Sequence, residues 1–89
     1  MITQPVNDLS TIATLTELRK GWYSAIELAW LMTAPDDDWQ ARGAAKAALS
    51  ELYHLGVIEK IVCRHNKADL SVYLIEPDKI RQALEAWAS

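Results

Sequence analysis

The sequence predicts an α+β domain: three helices forming a core, a β-hairpin beside them and an additional helix at the C-terminal end. Three observations predict it. Up to Leu55 apolar residues recur at helical spacing; after Gly56 two β-branched runs, VIEKIVC and LSVYLI, flank the polar stretch RHNKAD; and EPDKIRQALEAWAS then returns to a helical period.

The elements follow in order. Residues 1–7, MITQPVN, form an expected flexible arm, and the domain proper is expected over 8–76. From Asp8, Leu9, Ile12, Leu15 and Leu18 line one side of a first helix that ends at Lys20-Gly21, although Thr11, Thr14 and Thr16 weaken its propensity. Ser24 followed three residues later by Glu27 is a capping-box pattern that opens a short second helix. Ile26, Ala29, Trp30 and Thr33 share one side of it and Leu28, Leu31 and Met32 the next, and it stops before Pro35. The run PDDD is read as a turn in which Asp36 or Asp38 caps a third helix, with all three aspartates at its positive end. That helix spans about Trp39 to Leu55, with Ala41, Ala45, Ala48, Leu49, Leu52 and Leu55 inward and Arg42, Lys46, Ser50 and His54 outward. In the hairpin, residues 64–69 form a six-residue loop. Residues 77–89 make an amphipathic helix whose apolar stripe is Ile80, Ala83, Leu84 and Trp87.

Composition bounds the function classes. The chain has 89 residues, 51% of them hydrophobic and 24% charged, which belongs to a single globular domain with a small core. One cysteine, Cys63, makes no intramolecular disulfide, and the N-terminus carries no charged-then-apolar leader, so a reducing cytoplasm is expected. Apolar runs such as AIELAWLM are too short to span a bilayer, so no membrane partner is expected.

Two helices separated by a four-residue turn, with alanines on the second to allow close approach, form a helix-turn-helix with a hairpin beside it. In SAIELAWLM, WQARGAAKAALSELYHLGVIEKI and RHNKAD the chain resembles the winged helix-turn-helix domains of bacterial or phage transcription regulators, over roughly residues 9–76. The resemblance implies a positioning helix, a recognition helix and a wing in those three stretches. It places Gln40, Arg42, Gly43, Lys46, Ala47 and Ser50 toward a DNA groove, and Arg64, His65, Asn66 and Lys67 on a wing that follows the backbone or minor groove. Double-stranded DNA is the partner it implies.

Charge distribution is compatible with this. Net charge is −3 overall, yet residues 39–67 carry five bases and two acids, a local +3. Local fields matter within a Debye length of about 8 Å, so an acidic chain can present a basic face. Asp36, Asp37 and Asp38 oppose it, because a recognition helix inserts its N-terminal end. They define the alternative expectation, a non-enzymatic protein–protein interaction module of the same fold whose acidic patch meets a basic partner.

Catalytic chemistry has no footing. His54, His65 and Cys63 do not make a zinc-binding pattern, the aspartate run lacks the spaced ligands of a calcium loop, and there is no glycine-rich phosphate loop or nucleophile elbow. Neither an enzyme nor a cofactor is expected. Trp39 is expected to fold back over the core, and Cys63 to be a small buried hydrophobe. The stripe Ile80, Ala83, Leu84, Trp87, with Leu9, Ile12, Leu15 and Leu18 at the other end, is expected to pair two copies as a homodimer on two half-sites.

Overall fold

The computed structural model describes residues 9–34 and 38–88, the side chain of His65 excepted. The arm expected at 1–7, and the turn and cap expected of Pro35, Asp36 and Asp37, lie outside the described residues.

Four helices and a three-stranded antiparallel sheet make up an α+β fold whose order is consistent with a winged-helix-type topology: α1 (Leu9–Ala13), β1 (Gly21–Ser24), α2 (Ala25–Thr33), α3 (Trp39–His54), β2 (Glu59–His65), β3 (Ala68–Ile75) and α4 (Pro77–Ala88). The sheet order is β1-β3-β2.

The threonines shorten the first helix. Thr14 Oγ1 donates to the Thr11 carbonyl at 2.6 Å and Thr16 Oγ1 to that of Ala13 at 2.7 Å. These local bonds accompany a tightening of α1 into a 3₁₀ turn over Thr14–Glu17, so helical structure ends at Glu17 and not at Lys20.

The sequence reading missed β1. Its four residues lie antiparallel to β3, with Trp22 opposite Leu74 and Tyr23 opposite Tyr73, and the Tyr23 hydroxyl donates to the Arg19 carbonyl at 2.7 Å. Ser24 then ends the strand and caps α2, its Oγ accepting from the Glu27 amide at 3.1 Å.

Asp38 caps α3 by accepting from the Gln40 amide at 2.9 Å. The other end of α3 is a Schellman motif. Gly56, at φ 81°, sends its amide to the Tyr53 carbonyl at 3.0 Å, and Val57 sends its own to Leu52 at 2.9 Å. A side chain at Gly56 would be forced into the left-handed region.

The expected six-residue loop is a two-residue turn. β2 runs to His65 and β3 begins at Ala68, leaving Asn66 (φ 50°) and Lys67 (φ 65°) as the tip. Two successive positive φ values match the right-handed twist of the strands, as in a type I′ hairpin.

The core consists of Ile12, Leu15, Leu28, Ala29, Met32, Ala45, Ala48, Leu49, Leu52, Ile58, Tyr73, Ile75, Ile80 and Trp87. Two sequence expectations change here. Ile80 and Trp87 are buried within the domain, and Ala83 and Leu84 pack against its core, so the stripe expected at a dimer contact is covered by its own chain. The reason is local: α4 packs on α1 and the 3₁₀ turn, and Arg81 fastens it, donating to the Thr16 carbonyl and to Asp78 Oδ1, both at 2.8 Å. Cys63, expected inside, is exposed on β2.

Candidate nucleic-acid interface

α3 places its side chains by simple helical spacing. Ala45, Ala48, Leu49 and Leu52 face the core. Opposite them stand Gly43, Ala47 and Ser50, three small residues that leave the middle of the outer face almost flat. Between these two faces runs a flank formed by Trp39, Arg42, Lys46 and Tyr53, whose offsets of three, four and seven residues stack them on one side.

That flank alternates rings with cations. The Arg42 guanidinium lies over the Trp30 ring of α2, 4.0 Å from its centroid, and is half-buried. It is held as a layer on an indole and not extended into solvent. Trp39, one turn earlier, is 75% exposed, which overturns the expectation that it folds over the core. Position explains this: it is the first residue of α3, where helical phase turns it away from the Ala45 and Leu49 side. At the far end Lys60 of β2 stands over the Tyr53 ring, 5.2 Å from its centroid.

The sheet carries the row onward. Lys60 pairs with Tyr73, whose burial marks the inner face of the sheet, and alternation puts Val62 and Arg64 on that same face. Burial, with the neighbouring Tyr53 phenol as the smaller cause, pushes the Tyr73 hydroxyl above its ordinary value of 10.0, so it stays neutral. Arg64 sits opposite Asp69, which offsets part of its charge. Lys67 occupies the hairpin tip beside Asn66, and His65 is the last residue of β2.

Of the residues implied by the resemblance, Gln40, Gly43, Lys46, Ala47, Arg64, Asn66 and Lys67 are exposed, whereas Arg42 and Ser50 are half-buried. Among the described residues Lys46, Arg64 and Lys67 form no ion pair. Lys60 counts among the five bases of 39–67, but the ring partners Trp30 and Tyr53 are not among the expected site residues. The offset of Tyr53 from Lys46 was visible, but the Lys60 contact depends on the angle at which the hairpin leaves α3.

A second feature is apolar. Ile26 and Trp30, one turn apart on α2, are 53% and 50% exposed, and Leu31 beside them is 45% exposed. On the outer face of the sheet Trp22, Leu74, Val72, Ile61, Leu70 and Cys63 lie together by register.

Comparison with protein-family models, with curated proteins and with solved structures gives no match. The fold is that of a small α+β domain whose element order is consistent with a winged-helix-type topology. Among the described residues no helix is long and apolar enough to cross a membrane, and no group of three or more His, Cys, Asp or Glu side chains could hold a metal ion.

Proposed function

We propose that the domain is a small, non-enzymatic DNA-binding regulator or accessory factor of the winged helix-turn-helix kind, with α3 toward the major groove and the Asn66-Lys67 tip on the adjacent backbone. One observation carries this reading. Arg42 and Lys46 on α3 and Lys60 and Arg64 on the inner face of β2 form one cationic row, joined where Lys60 meets Tyr53. Side chains on the groove-facing side are short, so positioning by phosphate contacts outweighs base readout. Gln40, Ala47 and Ser50 supply what direct readout there is, to adenine, to a thymine methyl or to either partner. Asp38 is occupied in capping α3, which spreads its charge into the helix end.

Anisotropy of labelled duplex fragments at low and physiological salt tests the reading. Binding should weaken as salt rises, with a log–log slope of about −0.9 per phosphate neutralised. Absence of binding at low salt would end it.

A second reading, a protein-docking module, is favoured by the exposed Ile26, Trp30 and Leu31 on α2. Ile26→Asp should then abolish capture of the partner while leaving duplex binding unchanged, and partner capture that survives this substitution counts against it. Self-association is part of this second reading, because a homodimer would have to use a surface other than the covered α4 stripe.

A further inference from the structure

We propose that the flank of α3 and β2 is a binding site for single-stranded nucleic acid, with Trp39 and the Arg42–Trp30 layer stacking unpaired bases and Lys46, Lys60 and Arg64 following the phosphates. The inference rests on the nucleic-acid reading above and names a ligand class for the same row.

Ring faces are the first argument. A base inside a duplex hides both its faces in the stack and offers only edges, so an aromatic plane gains nothing from it without unstacking. Unpaired bases offer a face each. Proteins that hold single strands combine a cationic track with such planes. Here the order along the flank is Trp39, Arg42 on Trp30, Lys46, then Tyr53 with Lys60. From Trp39 to Tyr53 this covers on the order of 20 Å at about 1.5 Å per helical residue.

Preorganisation is the second. The Arg42 guanidinium is a rigid plane already held over the Trp30 ring, so contact with this layer orders no freely extended side chain. Trp39 stands 75% exposed one turn away. For its outermost rings the domain thus has no use in its own core.

The middle of the outer face supplies the third. Gly43, Ala47 and Ser50 reach too little to read a major groove densely, whereas small residues beside a row of rings leave room for splayed bases. A second copy of the chain fits this row less well, since docking it on Trp30 would desolvate the Arg42 guanidinium.

The test compares the full chain's binding to an oligothymidylate of about 15 nucleotides, within the span of known single-strand sites, and to a duplex of equal length. Anisotropy and tryptophan emission are read together. Oligothymidylate should bind, quench tryptophan, and lose about 5- to 150-fold in affinity on Trp39→Ala but far less on Trp39→Phe. Lys46→Ala should lower its salt slope by about 0.7. Duplex binding that is insensitive to Trp39→Ala, with no oligothymidylate binding, would leave the duplex reading standing and overturn this one. If neither probe binds at low salt, both fall. Emission that changes with protein concentration alone, in step with sedimentation, and no response to oligothymidylate would assign the rings to self-association and refute the proposal.

Discussion

α3 and α4 are both solvent-facing helices with two cations each, and they place them differently. On α4 both cations, though exposed, bond within the chain: Lys79 bonds Glu76 at 2.8 Å, and Arg81 bonds both Asp78 and the Thr16 carbonyl. On α3 Arg42 rests on an indole and Lys46 stands exposed. Their tryptophans divide likewise, Trp87 being 5% exposed and Trp39 75%. Both helices feed the core, but α4 also ties its polar side back to the fold, whereas α3, beyond Ala45, Ala48, Leu49 and Leu52, presents a flank to solvent. Residue type alone does not separate them, because the difference lies in what each helix packs against.

The largest expected effect tests that division on a single residue type. Trp87→Ala should destabilise by about 3–5 kcal/mol, the usual cost of emptying a core aromatic site, and should bring a domain this small close to unfolding. Trp39→Ala should move stability by no more than about 0.5 kcal/mol. Urea unfolding of the two variants measures both, and equal losses would erase the distinction between the helices.

Arg81→Ala should cost about 1–2 kcal/mol, because it strips a partner from the Thr16 carbonyl as well as from Asp78. Lys46→Ala should be neutral within about 0.5 kcal/mol in the same assay. A stability loss on Lys46→Ala as large as that on Arg81→Ala would mean that the flank of α3, and not only its core face, serves the fold.

Lys67→Gly should stabilise by up to about 1 kcal/mol, since glycine adopts φ 65° without the steric cost a lysine bears. It also removes a cation from the hairpin tip. Thermal unfolding should therefore rise while duplex affinity falls, and a fall in both would show that the tip is held by contacts of the lysine side chain.

Smallest is a pH effect. The hydrogen bond from Lys79 holds the Glu76 carboxyl below its ordinary value of 4.5, with the Lys79 and Lys20 charges assisting. A depressed carboxylate contributes stability above its unfolded pKa and loses that contribution as pH falls through the folded one. Glu76→Gln should accordingly flatten part of the acid limb of the stability profile below about pH 4.5. An unchanged limb would remove this ion pair from the fold's support.

What the sequence could tell was local. Ser24 and Asp38 as caps, Gly56 as a stop and the β-branched runs of the hairpin all act within a few residues, and the helices they bound were legible. β1 was not, because GWYS is too short to signal by itself and its partner lies some fifty residues later at Val72 to Ile75. Amphipathicity gave α4 an apolar stripe without saying whether its own chain or a second copy would cover it. The cations of the candidate site were readable as a charge excess over 39–67, but the stacking of Arg42 on Trp30 and of Lys60 on Tyr53 joins separate elements and has no sequence signature.

β3 lies at the centre of the sheet, with β2 arriving through a two-residue turn and β1 from far upstream. Closing the first pairing confines almost no chain, whereas closing the second must gather the whole stretch between Ser24 and Val72. The two edges of one strand are therefore zipped at different times. On this ground the hairpin and α3 are expected to assemble early, and the seam between β1 and β3 to shut last and open first. The β1 amides that bond β3 should exchange faster than the β2 amides that bond β3, and equal protection at the two edges would show that the domain opens only as a single unit.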